Sequence, residues 1–435
     1  MKITSLLSLV LLFSEPAIQP TQESPARGAD EHARIDAAAE GQTADEVEES
    51  RPTDRLVDVE LEPWRIGLLE RAFEVASRLP HAGHPKDRAR TQAIVLEAML
   101  ELGQPNRVLE LAGRIENWRR AEMLAAVALH AARVGCDEGL VRELIARSDR
   151  NHPADIERWR HDRIDLKIAQ ALAEIGDLDG AVALETDFEP ASQGRIVAGQ
   201  VGGMDRADVD RLLEQLDRVL ETRDFDLALN SIDIMIRMHD RFYADVALRS
   251  DLERRIDEAA VLAKIPHDRR ILSTLALADT AIGRGDEAHG RLLTGRARGI
   301  FEAIESRHPF PVEFGVPVIG ELARRRAESG DIDGAVAQIE DARARYEADP
   351  RRIADVFRAG AFRPVLEAAI ATGRDEVIDP LMLFVLEVGS TNPNGRPRVQ
   401  DLARTLATIS LAGRAPSPEA MASIDSIEAG LASPW

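Results

Sequence analysis

The chain has a single cysteine, Cys136, in 435 residues. That excludes an internal disulfide and a cysteine-built metal cage, and one thiol fixes no redox compartment. Aromatic residues are scarce too, at 4%. Leu, Ala, Val and Ile must then fill the interior, and they suit thin layers of paired helices. Lysine is nearly absent, with only Lys2, Lys86, Lys167 and Lys264. The arginine surplus that results reads as GC-rich codon usage and by itself carries little functional meaning. Positive charge is nonetheless in deficit, with a formal net charge of −21. A surface of that sign repels phosphate backbones, which argues against nucleic acid and anionic membranes as partners. Sustained two-residue alternation of strand type is also missing. Helix-forming Ala, Leu, Glu and Arg dominate most segments, so the chain reads as all-α.

What is present is a repeated punctuation. Gly176-Asp177-Leu178-Asp179-Gly180-Ala181-Val182-Ala183 returns, changed only at its third residue, as Gly330-Asp331-Ile332-Asp333-Gly334-Ala335-Val336-Ala337. Each copy closes one Ala/Leu-rich run and opens another. A helix–turn–helix unit that recurs along one chain marks an α-solenoid. Glycines 103, 135, 176, 283, 330, 373 and 413 stand at such turns. They predict roughly seven or eight helical hairpins over residues 56–435, with an irregular middle at 189–266. Ahead of them, Lys2 and the apolar residues 3–13 fit a secretory signal and are too short for a membrane span. This predicts export, with residues 1–13 removed and no membrane insertion afterwards; a frayed N-terminal helix is the alternative. Residues 14–55 are rich in Glu, Asp, Ala, Pro, Gln and Thr without an apolar period, which predicts a disordered acidic linker.

Seven residues before the turn glycine stands a small residue, Ala128, Ala169, Ala276 or Ala323. Val127, Ile168, Leu275 or Leu322 precedes it, and Ala181, Ala288 or Ala335 follows the glycine by five. On these positions the units resemble tetratricopeptide repeats, best around Gly330, while Leu96 and Leu366 depart from the small-residue position. The resemblance implies a superhelix whose inner helices form a concave groove for a protein or peptide, and it implies no enzyme. Residues one or two turns before each turn glycine would face that groove. This singles out Arg133, Gln170, Glu174, Arg324 and Glu328. Arg133 and Arg324 would take a partner's carboxylate by bidentate hydrogen bonding. Ordinary solvated helix positions are the plainer reading.

Asp177-x-Asp179-Gly180 and Asp331-x-Asp333-Gly334 lack the third ligand and closing Glu of a calcium loop, and read as helix caps. His81-Ala82-Gly83-His84 has no completing ligand nearby and reads as a solvated loop. His161-Asp162 and His239-Asp240 are adjacent pairs whose side chains diverge on a helix. Trp118 and Trp159 read as packing between hairpins, and residues 308–317 as a stiff apolar loop between units. No Gly-rich phosphate loop, nucleophile elbow or Ser–His–acid pattern stands out, so no cofactor and no metal is expected. The function that follows is an exported, non-enzymatic protein- or peptide-binding scaffold. Two other classes stay open. One is an extracytoplasmic α-solenoid enzyme acting on glycans, which would need several acids with perturbed pKa values converging in a deep pocket. The other is an RNA-reading helical repeat, which the charge and the export signal oppose.

Overall fold

The computed structural model describes residues 55–82, 84–151, 157–185, 201 and 204–431. The signal expected over residues 1–13, residues 14–54 of the linker expected over 14–55, and the start of the irregular middle at 189–200 lie outside the described residues. Among the described residues the protein is all-α, with eighteen helices and no strand. The first six are α1 (Pro63–Ser77), α2 (Pro85–Glu101), α3 (Pro105–Ala112), α4 (Arg119–Arg133), α5 (Glu138–Arg150) and α6 (Arg158–Glu174). Then come α7 (Leu178–Glu185), α8 (Arg206–Glu221), α9 (Phe225–Arg241), α10 (Val246–Leu262), α11 (His267–Gly283) and α12 (Glu287–Glu305). The last six are α13 (Val312–Glu328), α14 (Ile332–Ala348), α15 (Asp355–Thr372), α16 (Asp375–Ser390), α17 (Gly395–Ala412) and α18 (Pro418–Ala429). Eighteen exceeds what eight hairpins supply. None of the described helices is long and apolar enough to cross a membrane.

Local chemistry sets the boundaries. Asp177 Oδ1 accepts from the Gly180 amide at 2.9 Å, and Asp331 Oδ1 from the Gly334 amide at 3.2 Å, so the repeated Asp residues do cap helices. Left-handed turns fall at Gly103, Gly135, Gly176, Gly330, Gly373 and Gly413, as the punctuation predicts. The seventh differs. Gly283 belongs to the last turn of α11, and Gly285 takes the positive φ of 75°. The small positions of that unit shift by two residues accordingly. Ala278 and Gly290 are buried, whereas Ala288 is exposed. In the middle, the left-handed positions are filled by Arg223 and Lys264, residues that rarely adopt this conformation and give no turn signal in a sequence.

Residues 308–317 are only partly a loop, because α13 begins at Val312 and holds Pro317 inside it. Gly315, Val316, Pro317 and Val318 are all buried, and that burial outweighs the one backbone hydrogen bond that proline removes. The same holds in α15, which contains Pro364. These two helices cross where Gly320 meets Pro364, so closely that a Cβ on Gly320 would lie 2.7 Å from the Pro364 carbonyl carbon. Trp118 is buried at the start of α4 and meets the half-exposed Trp159 edge-on, with ring centroids 5.5 Å apart, which is packing between hairpins.

Alternate helices stack side by side. Contacts run from α9 to α11, α13, α15 and α17, then from α17 to α2, and on to α4 and α6. The stack therefore continues across the two ends of residues 54–435, because α17 also packs on α1. In a linear repeat array each unit touches only its neighbours in sequence. Here Arg65 donates to the Ser410 and Leu411 carbonyls at 2.5 and 2.9 Å, satisfying the open C-terminal end of α17. Arg71 holds Glu428 and Asp425, both at 2.6 Å, and Arg396 reaches Asp87 at 3.2 Å. One apolar core accordingly joins Leu69, Phe73 and Leu96 to Leu366, Leu402 and Leu406. A second core, around Leu213, Met235, Leu252 and Leu293, belongs to α8–α12.

Candidate functional site

Counting back two and six residues from each left-handed glycine gives positions one turn apart on a single helix face. This register contains all five groove residues expected from the sequence. It also contains Glu97 and Glu101 on α2, Asp279 on α11 and Glu367 on α15. Asp279 escapes the sequence reading because its turn was set at Gly283 instead of Gly285. Glu97, Glu101 and Glu367 follow from the same rule applied to Gly103 and Gly373, the two units whose Leu96 and Leu366 depart from the repeat pattern.

The five residues fall into two neighbourhoods. Arg133 Nε donates to Glu174 Oε1 at 3.3 Å between α4 and α6, with Gln170 one turn earlier on α6. Burial, and then Arg237 of α9, lower the Arg133 pKa. Arg324 Nη1 donates to Glu328 Oε1 at 2.7 Å, and its Nη2 lies 3.7 Å from Asp279 Oδ1. Burial alone would lower the Arg324 pKa, but Glu328, Asp279 and Glu367 hold it above the usual value. Arg325 beside it grips Asp279 through two nitrogens, at 2.8 and 2.6 Å. Arg133 and Arg324 thus already hold carboxylates.

Acids on α2, α4 and α15 vary with their company. Glu122 is fully buried yet ionised, because Arg119 at 2.9 Å and Arg163 at 2.7 Å overcome the cost of its burial. Among the described residues Glu97 has no such contact, and burial pushes its carboxyl up to about 7 against the pull of Lys167. Burial likewise raises Glu101, with Glu367 adding repulsion, and raises Glu367 itself.

A further group gathers where α17 meets α2. Arg90 of α2, Arg363 of α15 and Arg404 of α17 are all half-buried. Burial, then Arg363 and Arg90, push Arg404 down to about 9, with Asp401 and Asp87 opposing. Arg363 Nη1 lies 3.5 Å from Asp401 Oδ1, too far for a good hydrogen bond. Asp401 is itself pushed up to about 6 by burial. Asp87 is drawn aside by Arg396 and Gln400. Among the described residues Arg90 and Arg404 make no hydrogen bond or ion pair, and the Arg404 Nε is buried without a partner. In a chain of net charge −21, Arg404 stands out because two arginines, Arg363 and Arg90, act on it against Asp401 and Asp87. No spacing rule could find this grouping, because it exists only where the ends of the helical stack meet. The cavity on the other side of Asp401, bounded by Gly389, Ser390 and Thr405, measures about 10 Å³ and has room for about one water.

One cluster could hold a metal. His239 of α9, Glu253 of α10 and His289 of α12 each offer a ligand atom, all within 4.8 Å of one another. His81 and His84 pair instead with Glu116 at 3.0 Å and Asp87 at 3.5 Å. Compared with known protein families, with characterised proteins and with solved structures, the chain matches none.

Proposed function

We propose that this chain is an exported, non-enzymatic scaffold of tetratricopeptide-like hairpins that binds a protein or peptide through a carboxylate held by Arg90, Arg363 and Arg404. The observation that carries the reading is the Arg404 guanidinium, half-buried between two like charges and without a hydrogen bond or ion pair among the described residues. Such a group gains more from an incoming anion than an arginine already paired, and its planar fork suits a carboxylate. A partner reaching for Arg133 or Arg324 would first have to displace Glu174 or Glu328. The scaffold role therefore stays, and its anion contact moves to Arg404.

The test uses the full chain as bait in native envelope extract of its host. Wild type should retain a partner at low salt and release it as salt rises. Arg404→Gln should retain it about tenfold less, the loss of one charge-assisted contact, while Arg324→Gln changes little. Equal retention by wild type and Arg404→Gln refutes the site. Glu97 and Asp401, carboxyls that keep their protons toward neutral pH, favour a second reading in which one serves as general acid in glycan cleavage. New reducing ends from an added polysaccharide, lost in Asp401→Asn, would assign the chain to that class instead.

A further inference from the structure

We propose that His239, Glu253 and His289 form a binding site for one zinc ion, with its fourth coordination position open. The three residues stand on three helices that the second apolar core holds together. His239 lies in the last turn of α9, Glu253 in the middle of α10 and His289 in the first turn of α12. The Nε2 atoms of both imidazoles converge on one oxygen, Glu253 Oε1, at 3.2 Å from His239 and 2.7 Å from His289. His239 is fully buried, and the Glu253 and His289 side chains keep only 12% and 19% of their surface open.

The donor set selects the ion. Two imidazole nitrogens and one carboxylate oxygen suit zinc, whereas calcium and magnesium require shells made mostly of oxygen. Zinc bonds of about 2.0–2.2 Å in a tetrahedron put neighbouring ligand atoms roughly 3.3 Å apart. The separations of 3.2 and 2.7 Å from Glu253 Oε1 lie at and below that value, so a small outward movement of Glu253 would admit the ion.

Surrounding contacts hold the ligands in place. Asp286 Oδ1 accepts from the His289 amide at 3.1 Å, which fixes the first turn of α12. Asp286 Oδ2 accepts from the Tyr243 hydroxyl at 2.9 Å. The Tyr243 ring stands edge-on to both imidazoles, with centroids 5.5 and 6.4 Å away, and Arg249 covers its face at 4.6 Å. The Tyr243 hydroxyl is therefore committed to Asp286 and leaves the fourth position to water or to a ligand from outside. Three protein ligands and one exchangeable position is the arrangement of reactive zinc sites, while structural sites are closed by four.

The test takes the full chain, dialysed against chelator and titrated with zinc chloride in a calorimeter, with cobalt chloride added to a parallel sample. Wild type should bind one equivalent of zinc, and its cobalt form should show the strong visible absorption of a four-coordinate ion. His289→Ala and the near-isosteric Glu253→Gln should each weaken zinc binding by more than about tenfold with helical circular dichroism intact, since even loss of an outer-shell contact costs that much. His81→Ala should bind as wild type does. Failure of the wild-type chain to bind zinc stoichiometrically would overturn the site and leave a hydrogen-bonded clamp. So would unchanged affinity in Glu253→Gln, or loss of binding in His81→Ala.

Discussion

Replacing Gly320 by alanine tests the closest approach in the fold. Alanine in a helix interior is normally better than glycine by about 0.5–1 kcal/mol, because the unfolded chain loses less freedom. At Gly320 the sign should invert. The added Cβ would stand 2.6 Å from the Val365 amide nitrogen, 2.7 Å from the Pro364 carbonyl carbon and 3.0 Å from the Pro364 Cβ. The first two are backbone atoms and cannot rotate away. Helices α13 and α15 must then separate by roughly 0.8 Å to restore ordinary contact. Overpacking of this kind costs about 1–3 kcal/mol, so after the helical gain a net loss of about 1–2 kcal/mol is expected. The Tm should fall by about 1–4 °C, and the urea midpoint should drop without a change in slope. Gly299 on α12 is the control. It is exposed, and a Cβ there meets nothing within 4 Å, so Gly299→Ala should stabilise by about 0.5–1 kcal/mol. Urea unfolding followed by far-ultraviolet circular dichroism reads both variants. A Gly320→Ala protein as stable as Gly299→Ala would refute the close crossing.

A second prediction concerns Glu97, whose folded-state pKa of about 7 lies above its unfolded value, so the neutral form is favoured in the fold. Its contribution is fully present below about pH 4.5, is lost as pH rises through about 7, and is flat beyond, with a total of at most about 3 kcal/mol. Glu97→Gln should therefore be more stable than wild type near pH 8 and lose that advantage near pH 4, and a parallel pair of stability–pH curves would contradict the burial argument. Export predicts that protein recovered from its host lacks residues 1–13 and lies outside the cytoplasm; mass spectrometry finding Met1 intact on the bulk of the protein in soluble cytosol would exclude it.

Much of the local structure was legible because it rests on residues with little conformational choice. Six of the seven turn glycines adopt the left-handed backbone expected of them, and Ala128, Ala169, Ala323 and Ala335 are fully buried at the expected positions. Failures came where another residue did a glycine's work. Arg223 and Lys264 make left-handed turns without a sequence signature, and Gly283 drew the eye from Gly285. Proline misled similarly at 317, where burial carries the helix through a residue that usually ends one. The sites were less legible still. The proposed zinc ligands are spread over three helices at irregular spacing, so no motif announces them, and the sequence sets His239 beside Asp240 alone.

The arginine cluster and the packing of α17 on α1 and α2 are one feature. Arg90 rides on α2 and Arg404 on α17, and the packing of α17 against α1 and α2 brings both to the same place. Arg71 with Glu428, and Arg65 on the α17 carbonyls, hold that junction on its other side with favourable contacts. On the side of Arg404, burial displaces the pKa downward at Arg90, Arg363 and Arg404, and at Arg404 the like charges of Arg363 and Arg90 add to it. Repulsion stored at a junction weakens it, and an anion bound there removes the repulsion while adding charge-assisted hydrogen bonds. A carboxylate that binds this junction only when it is closed must stabilise the closed form in proportion to its affinity and concentration. The partner's anion would thus act as the missing counter-charge of the fold, and the most distant parts of the described sequence would be coupled through its occupancy.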